Sequence, residues 1–196
     1  MNKYKALRYI HDFLYHGIRH QKHLEILESI FKDKAIIAGN YQENNSYSNY
    51  SDNCNEGEYV SLVDVNNDYD LEYQTFVKPY ITLIISPDCD AIKTIYLPYE
   101  EWSEVVGKNT NNRYRYSYVH NEYHVKKMIP LSYVKAIGVP ARYLRTMGKE
   151  ELIEIYLNEI LELMNKYNIN LPIVDTSAYN MPIRIPKNHI TKRKLK

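Results

Sequence analysis

Apolar positions in this chain fall into short runs divided by long polar stretches, and two segments carry a sustained helical period. Across residues 22–32, Leu24, Leu27 and Phe31 fall on one stripe with Ile26 and Ile30 beside it, which predicts an amphipathic helix. Residues 150–167 predict a longer one, with Leu152, Tyr156, Ile160, Leu163 and Tyr167 on its apolar face. The other apolar runs are too short for helices. They predict strands at 12–16 (with a short helix over 4–15 running into it), 35–38, 58–63, 81–85, 94–97, 118–126 and 136–139. A short helix carrying Trp102 is expected at 99–105, a turn or short helix starting at 130–132, and irregular chain at 168–183. Many short strands with few helices make an α+β domain built on antiparallel sheet.

Two polar stretches interrupt this pattern. Residues 39–57 are almost wholly Asn, Ser, Tyr, Gln, Glu, Asp and Gly, and residues 107–116 read Gly-Lys-Asn-Thr-Asn-Asn-Arg-Tyr-Arg-Tyr. Loops of the first length are uncommon in compact domains and usually serve function or move.

The chain has 196 residues, enough for one domain with a buried core. Its 21 tyrosines against three phenylalanines and one tryptophan accompany abundant Asn, Ile and Lys, so a single tyrosine carries little functional information. The formal charge is +1, yet residues 184–196 hold six Lys and Arg and no acid; without them the body stands at −5. The expected organisation is a domain at 1–183 and a basic tail at 184–196. Such a tail can meet nucleic acid or acidic lipid, and the simpler reading is a solubilising terminus. Cys54 and Cys89 lack CxxC spacing, which argues against a disulfide framework or cysteine zinc site. The first twenty residues lack the apolar core of a signal peptide, and no apolar run approaches a membrane span. A cytoplasmic protein is expected, as is one delivered to a target cell without that signal, with no membrane partner.

Several chemistries lack their motifs. There is no GxGxxG, no GxxxxGK[ST] and no GxSxG, so a bound nucleotide would need another architecture. The strand at 118–126 is more informative. Alternation places His120, Glu122 and His124 on one face and Tyr123 and Val125 on the other. That ionisable face lines a cleft or meets water; its spread along the strand disfavours a metal, and none is expected. At the other end of the chain, His16 precedes Gly17, whose missing side chain lets a ligand approach the backbone. His11, His20 and His23 sit among charges and read as surface residues.

Three segments, taken in order, resemble the diphtheria-toxin-like and poly(ADP-ribose)-polymerase-like ADP-ribosyltransferases, which share a His-Tyr-Glu signature. Phe13-Leu14-Tyr15-His16-Gly17-Ile18-Arg19, with a helix after it, is similar to their first strand and helix. Gly57-Glu58-Tyr59-Val60-Ser61 is similar to their Gly-x-Tyr-Phe-Ala strand, and Asn121-Glu122-Tyr123-His124-Val125 to their catalytic-glutamate strand. The resemblance covers residues 12–140. It implies two packed antiparallel sheets, a split β-sandwich with flanking helices and a C-terminal helix, and NAD as substrate.

The resemblance also implies roles. His16 would bond the adenosine-side ribose and the Gly17 backbone the nicotinamide carboxamide, with Arg19 close by. Tyr59 and Tyr69 would enclose the nicotinamide ring, Ser61 would take the family's small-residue position, and Glu122 would be the catalytic carboxylate. The loop before Glu122 selects the acceptor in that superfamily, which points to Arg113, Tyr114, Arg115, Tyr116 and His120. Alternating Arg and Tyr suit bases and phosphates, so the acceptor class stays open between protein and nucleic acid. Three departures stand out. Ile18 replaces a small hydroxyl residue, His120 replaces the Gln or Glu of arginine- or asparagine-modifying toxins, and no lysine lies in 60–69. The last implies one ADP-ribose per acceptor rather than chains. The alternatives are an NAD glycohydrolase, an RNA 2′-phosphotransferase of the same superfamily, or a cleft that binds nucleotide or nucleic acid without catalysis. A toxin setting would add an antitoxin or immunity protein as partner.

Overall fold

The computed structural model describes residues 12–18, 22–42, 58–64, 81–93, 121–178 and 180–183. In chain order they form strand β1 (Leu14–Ile18), helix α1 (His23–Asp33) and strands β2 (Ala35–Ile37), β3 (Tyr59–Asp64) and β4 (Ile81–Ile85). Next come β5 (Ile92–Lys93), β6 (Asn121–Lys126), β7 (Met128–Pro130) and β8 (Val134–Val139). Helices α2 (Ala141–Thr146) and α3 (Glu150–Lys166) follow, then β9 (Ile173–Asp175) and β10 (Met181–Pro182). The class is α+β, as expected. The start of the predicted first helix, most of the 39–57 stretch, the elements at 94–97 and 99–105, the 107–116 loop and the 184–196 tail lie outside the described residues.

Among the described residues the strands form an eight-stranded sheet in the order β10-β9-β8-β4-β1-β3-β6-β5, and β2 pairs separately with β7. The strand β4 is buried at all five residues because it lies in the middle, paired to β1 and β8. Its run Ile-Thr-Leu-Ile-Ile has the near-continuous apolar character that a strand covered on both faces requires. Alternation sends Leu14, Ile18, Val60, Leu62, Leu83 and Val125 to one face, where they join a core with Leu27, Ile30 and Phe31 of α1. Helix α3 closes this core, and its buried stripe is Ile153, Tyr156, Leu157, Ile160 and Met164. Leu152, Leu163 and Tyr167, expected on that stripe with Tyr156 and Ile160, are only partly buried against it. Tyr156 also corrects the reading of His23, whose half-buried ring stands edge-on to it at 5.0 Å. Neither of the longer helices, nor any other described helix, is long and apolar enough to cross a membrane.

Within residues 168–183, expected to be irregular, two short strands form. Residues 173–175 form β9, which runs parallel to β8 through the pairs Ile137–Ile173, Gly138–Val174 and Val139–Asp175. Parallel neighbours need a crossover, and α2 with α3 supplies it. The Asp175 carboxylate then caps the start of α2. It accepts from the Arg142 amide at 2.9 Å and from the Ser177 amide and hydroxyl at 3.1 and 2.6 Å, while the Tyr143 amide donates to Ser177 Oγ at 3.0 Å. Gly138 makes room for this turn: a Cβ there would strike the Thr176 methyl and lie 3.3 Å from the Thr82 carbonyl.

Helices α1 and α3 are also joined at their exposed edges. Lys166 Nζ donates to Glu28 Oε1 at 2.5 Å, Tyr167 donates to the same oxygen at 2.9 Å, and Lys34 Nζ donates to the Tyr167 carbonyl at 2.9 Å. The hydrogen bond from Lys166, then that from Tyr167, hold the Glu28 carboxyl below its usual range. A depressed carboxyl stabilises the fold above its unfolded pKa, and the contribution disappears as pH falls through the folded value. Both charged side chains are well exposed, so the effect is small. Glu28→Gln is expected to lower the unfolding midpoint by about 1–2 °C at neutral pH, a difference that closes on acidification in a thermal scan series.

Candidate functional site

Strands β1, β3 and β6 are neighbours in the sheet, so the segments that carry His16, Tyr59 and Glu122 lie side by side. On its β4 side, β1 is paired along its whole length, from Leu14–Ile85 to Ile18–Ile81. On its β3 side, the paired residues are Leu14–Asp64 and Tyr15–Val63. Had that ladder continued, Gly17 would face Ser61. Instead a side chain bridges the strands: His16 Nδ1 lies 2.9 Å from the Ser61 carbonyl oxygen. A carbonyl can only accept, so Nδ1 carries the proton and, in the neutral ring, Nε2 is the acceptor nitrogen. The preceding residue is held as firmly. Tyr15 is buried, and its hydroxyl accepts from Asn180 Nδ2 at 2.9 Å.

Strands β3 and β6 pair over six residues, setting Tyr59 opposite Lys126, Ser61 opposite His124 and Val63 opposite Glu122. Directly paired positions in an antiparallel ladder share a face. Tyr59, Ser61, Glu122 and His124 are therefore positions of one face. Val60, Leu62 and Val125 occupy the other and are buried, and Tyr123 packs against the core beside them. Over residues 121–126 the alternation read from the sequence is the alternation of the structure. Glu122 stands opposite Val63, and Val63 opposite Tyr15. Two strand spacings, roughly 10 Å, thus separate the Glu122 backbone from the residue before His16.

His16, Gly17, Tyr59 and Ser61 are half-buried at this junction. Ser61 has a part that its sequence position alone does not reveal, since its carbonyl receives His16 and its register partner is His124. His124, which was not among the predicted site residues, lies against Tyr59 with ring centroids 5.6 Å apart and an interplanar angle of 27°. Alternation placed it on the face of Glu122, but the contact with Tyr59 depends on strand register. Arg19, Tyr69, Arg113, Tyr114, Arg115, Tyr116 and His120 lie outside the described residues.

No protein-family model and no curated protein matches the chain. Among solved structures it is similar to DarT of Thermus sp. 2.9 in complex with NAD+, at 14% identity and a TM-score of 0.45, over 84% of this chain and 96% of that one. The same protein in complex with carba-NAD+ gives 15% identity and a TM-score of 0.47, over 84% and 94%. In complex with ADP-ribosylated ssDNA it gives 13% and 0.47, over 86% and 96%. Likeness at this level does not carry an activity from one chain to another.

Proposed function

We propose that this protein is an NAD-dependent mono-ADP-ribosyltransferase that cleaves the bond between nicotinamide and ribose and transfers ADP-ribose to a macromolecule. The observation that carries this reading is the junction of β1, β3 and β6, where His16 crosses to the Ser61 carbonyl beside Tyr59 and one register step from the row of Glu122. With Nδ1 committed to that carbonyl, His16 Nε2 is the atom that accepts a ribose hydroxyl. The Gly17 backbone takes the carboxamide of nicotinamide, Tyr59 forms one wall of the ring pocket and Tyr69 the other, and Arg19 and Ser61 complete the NAD side.

As the glycosidic bond lengthens, positive charge develops on the ribose. The Glu122 carboxylate, bonded to the 2′-hydroxyl, stabilises that charge, which is where a preorganised group acts most strongly on rate. Nicotinamide leaves with the bonding electron pair, a nucleophilic atom of the acceptor bonds to C1 of the ribose, and the acceptor's proton goes to solvent. Arg113, Tyr114, Arg115, Tyr116 and His120 hold that acceptor. Alternating guanidinium and phenol groups favour a nucleic acid, and the basic tail at 184–196 would add phosphate contacts. A conflict setting with an antitoxin as partner suits such chemistry.

Labelled NAD supplied with a whole lysate tests the reading. Label is expected to enter macromolecules and, for a nucleic-acid acceptor, to be released by nuclease and not by protease. Free ADP-ribose as the sole product would make the enzyme a glycohydrolase. Absence of nicotinamide release under any condition would refute the proposal.

A further inference from the structure

We propose that His124 is a positioning residue of this site, holding the Tyr59 ring at the angle that receives nicotinamide; this rests on the function proposed above. The two residues lie on adjacent strands at diagonal positions, because His124 is paired with Ser61 and Tyr59 precedes Ser61 by two. Diagonal neighbours in an antiparallel ladder lie within reach of aromatic side chains. Here the rings stack at 5.6 Å and 27°. Both side chains are half-buried, so the core does not fix the tyrosine on all sides. A flat neighbour removes part of its freedom about χ1 and χ2 before a ligand arrives, which lowers the ordering cost of binding.

Two features make this a property of the site rather than of packing in general. Ser61 links the two histidines, since its carbonyl receives the His16 imidazole and its register partner on β6 is His124. His124 also follows Glu122 by two residues on the same face, which separates it by about 7 Å from the position that meets the ribose. The contact that the structure gives it toward the site is the one with Tyr59. Imidazole suits the place because it is planar like phenyl yet tolerates partial exposure to water.

The test measures steady-state nicotinamide release from NAD by the full chain. His124→Ala is expected to raise KM for NAD about three- to tenfold, the usual worth of one aromatic pair, with kcat within about twofold. His124→Phe, which keeps a flat ring, should return KM to within about twofold of the parent. In the unliganded protein, Tyr59→Leu should move the ring-proton resonances of His124, through loss of the ring current. An unchanged KM in His124→Ala, a KM in His124→Phe as poor as in His124→Ala, or unmoved His124 resonances would each overturn the positioning role. If the parent protein releases nicotinamide, those outcomes leave the proposed function standing. If it binds no NAD at all, both proposals fall together.

Discussion

Glu122→Gln should slow nicotinamide release by about 10²–10³-fold while NAD affinity changes by less than about threefold. The size follows from what a carboxylate would do in the proposed reaction. Its charge interacts weakly with a neutral ribose in the ground state and strongly with the oxocarbenium-like ribose at the transition state, and the loss of one preorganised electrostatic contact is commonly worth about 3 kcal/mol. Glutamine keeps the length and hydrogen-bonding shape of the side chain and removes the charge. The strand tolerates the change, since β6 is held by backbone pairing to β3 on one side and β5 on the other. The decisive measurement is kcat and KM for NAD alongside a thermal scan. Turnover near the parent rate in a folded Glu122→Gln protein would leave Glu122 as one polar residue of a strand face. A proportional rise in KM would instead assign it to ground-state binding.

The largest effect on stability is expected far from that junction, at Asp175. Its carboxylate is 5% exposed and accepts three hydrogen bonds, from the Arg142 amide and from the amide and hydroxyl of Ser177. Asp175→Ala strands the Arg142 amide at the start of α2, where helix amides lack intrahelical partners, and the two donors of Ser177 in the turn after β9, and should cost about 3 kcal/mol. Asp175→Asn keeps one acceptor oxygen and should cost about half as much. Denaturant titration of both variants reads the difference as a shift in midpoint at constant slope. Nicotinamide release should survive below the unfolding transition, because Asp175 lies on β9, with β8 and β4 between it and β1. Equal loss in the two variants would show that the volume of the side chain matters here and its hydrogen bonds do not.

Local pattern carried the parts of this protein whose signal is periodic. The amphipathic runs that became α1 and α3, the apolar run that became β4 and the alternation along β6 need only neighbours in the chain to be read, because helix and strand periods are properties of the backbone. The buried stripe of α3 turned out rotated from its expected position. Leu152, Leu163 and Tyr167 are as apolar as the residues that won, and the sheet beneath the helix decides which face is covered. The strand β9 shows the opposite limit. Residues 173–175 are too few to announce a strand, and their pairing to β8 is made possible by a crossover and by the absence of a side chain at Gly138.

For the site, the sequence by itself determined which chemical groups exist and which of them share a strand face: a histidine before a glycine, a tyrosine, and a glutamate two residues from a second histidine. Tertiary structure alone decided that β1, β3 and β6 are neighbours, that the β1–β3 ladder gives way to a bond from His16 to the Ser61 carbonyl, and that His124 meets Tyr59. The physical reason is that strand pairing joins residues distant along the chain. Their register is set by the whole core on the opposite face, where Leu14, Leu62 and Val125 must all be buried at once.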